Sequence, residues 1–351
     1  MRVLYFGTYE RDYPRNAQVI SSLRGVGVEV VERHEPVWEG TRDAWRAGPA
    51  TALRLARAEL RLLRRPAERY DAVIVGYPGH FDLPAARRAA RGAPVIFNPL
   101  VSLADTLVSD RARFLPGSLP ARALSLVDRR ALRAADVVVA DTEQHARFLA
   151  ELADLERVEV CFVGAEERIF RPGSPGAFTH ALFVGKLIPL HGLEAILEAA
   201  RLAPELSFRV VGTGQLERLL EGRPSNVEWV PWIEYELLAG EFHAAGAALG
   251  IFGSSDKAAR VIPNKAFQAL ACATPLVTAD TPAARELLVD GESALLVPPG
   301  DAQALADALR RLSSDDGLRA RIAAGGLAAY RRQASEEVLG RRWLSILERT
   351  R

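Results

Sequence analysis

Lysine is almost missing from this chain. Of 45 basic residues, only Lys186, Lys257 and Lys265 are lysines. Arginine supplies the positive charge everywhere else, so each lysine marks a place where a compact point charge serves better than a planar fork. Cysteine is scarce too. Cys161 and Cys272 lie far apart in apolar runs, which excludes a disulfide framework and reads as two buried thiols in a reducing compartment. Net charge is small, +1 in total, so bulk electrostatics favours no nucleic acid or other polyanion. Nowhere do roughly 18 uncharged apolar residues run together, and the apolar start of MRVLYFGTYERDY is too short for a signal-peptide core. These absences point to a soluble, cytoplasmic chain. There is no low-complexity tract, no short repeat, and no set of His, Cys and carboxylates with metal-ligand spacing.

What is present is a rhythm. In the first half, short β-branched runs (RVLYFG, VEVVE, DAVIVG, PVIFN, DVVVAD, VEVCFVG) alternate with stretches of helical period. The second half repeats it with ALFVGK, FRVVGTG, VEWVPW, ALGIFG, PLVTAD and ALLVPP. Strands separated by helices imply βαβ units and parallel sheets, and 351 residues, about half apolar, suffice for two cores. The fold class expected is therefore α/β, with two Rossmann-like domains facing across a cleft. Periodicity lapses in GAEERIFRPGSPGAFTH, where Gly and Pro collect. The expected division is a first domain over 1–165, a linker over 166–178 and a second domain over 179–335. A helix over 336–351 follows, with the first domain as its candidate packing partner.

Open α/β sheets bind ligands at the carboxyl ends of their strands. In the first half those positions include Arg11, Asp12, Arg15 and Asn16 after the first strand, read as an exposed, acceptor-side loop with Asn16 a helix start. His80 follows the third strand; Asn98, Ser102 and Asp105 follow the fourth, and all four are expected to project into the crevice. A lone loop His is more often structural than catalytic. Asp141 and Thr142 fit a helix cap. Residues 41–70 hold eight arginines against three acids, with Trp45, Leu53, Leu55, Leu60, Leu62 and Leu63 interleaved. Two readings stand: a helix packed on its own sheet, and a basic amphipathic helix lying on an anionic membrane.

The second half is more pointed. In FVGKLIPLHG, Gly185 and Lys186 end a strand, and His191 and Gly192 open a helix. Close backbone approach, helix N–H groups and a full charge together suit a diphosphate. Gly212 begins the glycine pattern of VVGTGQLERLL, but Glu217 stands where a dinucleotide fingerprint needs its third glycine. Trp232 and Ile233 follow the next strand, where an aromatic or backbone edge meets a nucleobase; a core role is the commoner fate of such a Trp. In GSSDKAARVIPNKAFQALACATPLV, Pro263 is read as the first residue of a helix whose Lys265 and Gln268 share one face, with Lys257 and Arg260 on the loop before it and Asn264 at its start. Asp301 is a good N-cap, and Glu286 a further polar contact.

Five second-half motifs occur in order: GK-x4-HG before a helix, VVGTG, VEWVPW, GIFGSSDKAARVIPNKAFQALACATPLVT and ELLVDGESALLVPPGD. This register resembles the nucleotide-sugar domain of GT-B glycosyltransferases, and most of all the retaining family 4 group. The first half is similar only in strand rhythm. The resemblance implies a nucleotide-diphosphate-sugar co-substrate, no further cofactor, and a basic pair on the first loop that maps onto Lys186 and His191. The family's two glutamates, eight residues apart, fall on Arg260 and Gln268. Gln268 keeps the hydrogen-bonding capacity needed for a ribose, whereas Arg260 inverts the charge near the transferred sugar. The family's first-domain histidine is absent from PVIFNPLVSLAD.

The activity this implies is retaining glycosyl transfer to an unassigned acceptor, with front-face departure of the diphosphate and no covalent enzyme intermediate. Lys186, with Lys257 or Lys265 and the helix start at Asn264, would offset the growing charge. Arg260, His80 and Asp105 complete the catalytic candidates. No Asp-x-Asp triplet occurs, which favours a metal-independent site over the divalent-metal chemistry of the other large glycosyltransferase fold. The alternatives are a sugar-nucleotide epimerase of the same fold and a non-catalytic nucleotide-sugar-binding protein.

Overall fold

The computed structural model describes residues 1–11, 13–38, 48–64, 68–173 and 176–350. Each of the twelve β-branched runs contains a strand. The first six are β1 (Arg2–Gly7), β2 (Glu29–His34), β3 (Ala72–Val75), β4 (Val95–Phe97), β5 (Val137–Ala140) and β6 (Glu159–Val160). They form one parallel sheet in the order β2-β1-β3-β4-β5-β6. The helices between them are α1 (Pro14–Gly25), α2 (Pro49–Leu62), α3 (Leu83–Ala90), α4 (Leu119–Ala134) and α5 (Glu143–Ala153). Four of these five carry proline in the first turn, where its missing N–H costs nothing and its fixed φ suits the helix. Thr142 caps α5 by accepting from the His145 amide at 3.0 Å.

The second six are β7 (Ala181–Val184), β8 (Phe208–Val211), β9 (Val227–Val230), β10 (Ala247–Leu249), β11 (Leu276–Ala279) and β12 (Leu295–Val297). Their order is β12-β11-β10-β7-β8-β9, again all parallel. The accompanying helices are α6 (Leu193–Leu202), α7 (Leu238–Ala244), α8 (Asp256–Arg260), α9 (Asn264–Ala271), α10 (Ala302–Ser314) and α11 (Asp316–Gln333). Asp301 caps α10 at 2.9 Å. Pro263 is the N-cap of α9 rather than its first residue, so the helix begins at Asn264.

The chain divides into a unit of Met1–Val163 with Glu336–Arg351 and a unit of Gly164–Ser335. The last helix, α12 (Glu336–Thr350), therefore belongs to the first unit, where it packs on α1. Strand alternation explains the two faces of that unit's sheet. Leu4, Phe6, Val73, Val75 and Phe97 face α2, α3, α4 and α5. Val3, Tyr5, Ile74 and Ile96 face α1 and α12, whose Trp343 is 1 % exposed. In the second unit Phe183, Val210, Leu249 and Val277 form one core with α6 and α10. Parallel strands covered on both faces need apolar side chains at every position, which is why the runs are continuous rather than alternating.

Both sheets have a point where the chain stops adding strands on one side and crosses to the other. In the first unit it lies between β1 and β3, in the second between β7 and β10. Loops leaving the carboxyl ends of such a strand pair diverge and leave a crevice. Among the described residues no helix is long and apolar enough to cross a membrane, and no three His, Cys, Asp or Glu group as metal ligands.

Candidate active site

The loops after β7 and β10 flank the crossover point of the second unit, the loop after β8 lies beside the first of them, and glycines let all three approach closely. Gly185 has φ +142 and Gly212 φ +141; a Cβ on Gly212 would stand 2.0 Å from the Gly185 carbonyl oxygen. Gly192, at φ +68, abuts the Phe252–Gly253 backbone, and the Phe252 amide donates to the His191 carbonyl at 3.1 Å. The loop after β7 is thus held against the loops after β8 and β10 by main-chain contact that any side chain would block.

Lys265 is the central finding here. Its side chain rises from the first turn of α9 to lie beside Gly185: a Cβ there would be 3.1 Å from Lys265 Cε, 3.2 Å from Nζ and 3.5 Å from His191 Cε1. The amino group is buried, has no hydrogen-bond partner among the described residues, and sits 4.1 Å from the Phe183 ring centroid. Burial holds its pKa well below the usual lysine range. His191 is also buried; its Nδ1 lies 2.5 Å from the Lys186 carbonyl oxygen and its ring meets Phe183 edge-on at 5.5 Å. With Nδ1 committed as donor to that carbonyl, a proton on Nε2 makes the ring a cation. Lys186 itself is exposed.

The remaining second-unit candidates are placed around this trio. Lys257 and Arg260 are half-buried on the short helix α8, and Asn264 is half-buried at the start of α9. Gln268 is buried, and its Nε2 donates to Tyr235 Oη at 3.4 Å. Burial first and the Glu166 carboxylate second hold that hydroxyl well above its usual range. Tyr235 and Glu166 were not legible as site residues, since neither stands in a motif. Ile233 is half-buried after β9. Trp232 corrects its core reading: it is 56 % exposed, with Nε1 donating to Glu234 at 3.0 Å, because it follows the end of β9 rather than lying within it. Glu286 closes a short 3₁₀ turn, half-buried.

In the first unit the structure turns several expected site residues inward. Arg15 was expected on an exposed loop; it is fully buried inside α1, its Nε donating to Asn98 Oδ1 at 3.0 Å and Nη1 to the carbonyls of Cys161 (2.8 Å) and Phe162 (2.7 Å). Its Nε and Nη1 tie α1 to the ends of β4 and β6, while Nη2 is buried without a hydrogen-bond partner among the described residues. Asn16 is the third residue of α1 rather than its start, also fully buried, bonded to Tyr5, Tyr77 and the Glu10 carbonyl. Asp12 and Trp45 lie outside the described residues, as do 41–47 and 65–67 of the basic stretch. His80 is buried with Nδ1 3.0 Å from the Pro78 carbonyl and Nε2 3.1 Å from that of Val101. Asn98 and Ser102 are buried too, Ser102 donating to Asp128 at 2.7 Å. Of the four residues expected in a crevice only Asp105, half-buried on a π-helical turn, retains exposure. The inward turn has one cause: Asp128 accepts from Ser102 Oγ and the Leu103 and Ala104 amides, pinning the loop after β4 down.

A carboxyl pair at the first unit's crossover point escaped sequence reading. Asp82, fully buried, accepts from the Thr8 amide at 2.6 Å and hydroxyl at 3.0 Å. It also shares a hydrogen bond with Glu59, and burial with that neighbour pushes Glu59 up to about 10. A hydrogen bond between two carboxyl groups requires a proton on at least one of them.

Known proteins match this architecture. Residues 2–166 fit the family described as glycosyl transferase 4-like domain, and residues 179–315 the family described as glycosyl transferases group 1. A D-inositol 3-phosphate glycosyltransferase of Nocardioides sp. is 29 % identical over 93 % of this chain and 77 % of its own length. The enzyme of that description from Xylanimonas cellulosilytica is 30 % identical over 68 % of this chain and 64 % of its own length. A phosphatidyl-myo-inositol mannosyltransferase of Mycobacterium leprae is 33 % identical over 46 % of this chain and 44 % of its own. Among solved structures, sucrose-phosphate synthase from Thermosynechococcus elongatus superposes with TM-score 0.75 at 16 % identity, over 99 % of this chain and 98 % of that one. Anabaena HepE in complex with UDP-glucose does so with TM-score 0.71 at 14 % identity, over 99 % and 100 %.

Proposed function

The chain belongs to the GT-B glycosyltransferases, and from that premise we propose that it transfers a sugar from a nucleotide-diphosphate-sugar with retention and without a metal ion. One observation carries the reading: the buried Lys265 amino group, which has no hydrogen-bond partner and stands beside Gly185 and His191. A buried amine without a partner is costly to keep unless a ligand supplies the acceptor. A diphosphate oxygen is such an acceptor, and binding it charges the amine and offsets part of the leaving group's charge.

In the reaction, the bond from the sugar's anomeric carbon to the diphosphate breaks and a bond to the acceptor hydroxyl oxygen forms on the same face. The hydroxyl proton passes to the departing phosphate oxygen, so no enzyme nucleophile is required. Lys265 and Lys186 stabilise the diphosphate as its charge grows, and His191 joins them when its ring is protonated. Gln268 and Tyr235 hold the ribose, Trp232 and Ile233 the base, and Arg260, Lys257 and Asn264 complete the donor side. Such an enzyme works in the cytoplasm, where nucleotide-sugars are made.

The test is a thermal-shift panel of nucleoside diphosphates and nucleotide-sugars, followed by donor turnover. One strong hit with turnover supports the proposal. Stabilisation by a nucleotide with no hydrolysis or transfer across a broad acceptor panel moves the chain to a nucleotide-sugar-binding protein, a second reading that Arg260 and Gln268 favour by standing where the family carries glutamates. No hit from any nucleotide removes both.

A further inference from the structure

Three of the four helices covering one face of the first sheet have an unusual charge distribution. Together α2, α3 and α4 carry nine arginines and only two carboxylates, Glu59 and Asp128. Both carboxylates turn inward: Asp128 is 1 % exposed beneath the loop after β4, and Glu59 is engaged with Asp82. All nine arginines are exposed. Three of them meet carboxylates of neighbouring segments, Arg61 with Glu35, Arg87 with Asp136 and Arg133 with Asp154. These three helices therefore present cations with no outward acid of their own, while α5 beside them carries the exposed Glu143 and Glu151 with Arg147.

Large apolar side chains are exposed on the same layer. On α2 they are Leu53 (53 %) and Leu60 (68 %); at and before the start of α4 they are Leu119 (81 %) and Leu115 (80 %), with Leu126 (53 %) two turns on. On α2 the buried positions are Ala58 and Leu62, while Leu53, Arg57 and Leu60 recur at helical spacing on the side away from the sheet. The opposite layer, α1 and α12, exposes no large apolar residue. A monomer gains nothing from holding leucines in water between arginines, whereas an interfacial helix layer buries the leucines among acyl chains and sets the arginines among phosphates.

We propose that the α2–α3–α4 layer docks on an anionic lipid bilayer. The exposed leucines favour a bilayer over a soluble polyanion, which would match the arginines and leave the leucines in water. Docking sets the first unit against the lipid surface and, on the transfer reaction proposed above, selects an acceptor carried by that bilayer.

The experiment is co-sedimentation of the full chain with vesicles of about two parts phosphatidylcholine to one part phosphatidylglycerol, beside vesicles of phosphatidylcholine alone. Wild type should pellet only with the anionic vesicles. Arg54→Gln with Arg57→Gln, Arg122→Gln and Arg130→Gln should weaken that binding by about tenfold or more. Leu60→Ser with Leu119→Ser should leave the initial electrostatic capture but lose the fraction retained in high salt. Each variant is checked by its melting temperature and by the nucleotide-induced thermal shift, a second-unit property that neither set touches, so misfolding and failure of the donor reading are read separately. Three results would overturn the proposal: wild type remaining in the supernatant, the arginine variant binding as wild type does, or leucine variants indistinguishable from wild type while a single-stranded nucleic acid binds the face equally well.

Discussion

Replacing Lys265 by Met should make the empty protein more stable and the enzyme worse. The substitution keeps the length and most of the volume of the side chain while removing a buried amino group that has no hydrogen-bond partner among the described residues. An unsatisfied buried donor costs about 1–3 kcal/mol. The Phe183 ring, 4.1 Å away, returns about 0.5–2 kcal/mol of that as a cation–π contact when the amine is charged. The net expectation is a gain of about 1 kcal/mol, a rise of about 1–2 °C in melting temperature for a chain of this size. The pH dependence fixes the sign independently. Because the native pKa is depressed below 10.5, the unfolded chain holds a proton that the folded one does not across that window, and wild-type stability rises with pH there. The Met variant lacks the rise, so its advantage shrinks as pH climbs toward 10.5. Donor affinity should move the other way: loss of a charge-assisted bond to phosphate, about 1.5–3 kcal/mol, weakens binding about tenfold to a hundredfold. Differential scanning fluorimetry across pH gives the first quantity. Titration calorimetry in buffers of different ionisation heat gives the second, and also the proton that wild type takes up on binding. A Met variant that melts lower than wild type yet binds nucleotide with unchanged affinity would refute the reasoning.

Lys186→Ala removes an exposed cation, so the melting temperature without ligand should stay put while donor affinity and turnover fall together; unchanged kinetics take Lys186 out of the site. Gly212→Ala places a methyl 2.0 Å from the Gly185 carbonyl at a positive φ, and should cost about 2 kcal/mol or more in denaturant unfolding and abolish the nucleotide shift; a stable, binding variant would mean the two loops are not held as described. Glu59, raised to about 10 from 4.5, keeps its proton in the folded state and loses it in the unfolded one between those values, so wild-type stability should fall as pH rises through that range. Glu59→Gln still donates to Asp82 and should flatten the decline; an identical slope in pH-dependent denaturation would remove the shared proton.

Strand positions were legible because a parallel strand covered on both faces has no freedom to be polar, and twelve runs such as AVIV, VVVA and ALFV say so without reference to partners. The lysine bias was equally informative, since it singled out Lys265 among residues far apart in sequence, although nothing local told that its amine would be buried. Arg15 shows the limit of the same signal. In a chain whose surface cation is arginine, a buried guanidinium that donates to carbonyls just past the end of a distant strand looks like all the others. The Glu59–Asp82 pair and the His80 contacts with Val101 and Asp128 join residues separated by loops and whole elements, at no repeating interval, so only folding brings them together. Trp232 was misjudged for a different reason: composition favours burial of tryptophan, but a residue just past a strand's end answers to the loop.

The order of assembly follows from where α12 lies. The second unit is one continuous stretch, Gly164–Ser335, inserted between the two parts of the first. During synthesis the first sheet emerges earliest, yet the face bearing Val3, Tyr5 and Ile74 has only α1 over it until Trp343, Ile346 and Leu347 leave the ribosome. The unit begun first is completed last, and for the time it takes to make the whole second unit a chaperone has an apolar sheet face to shield.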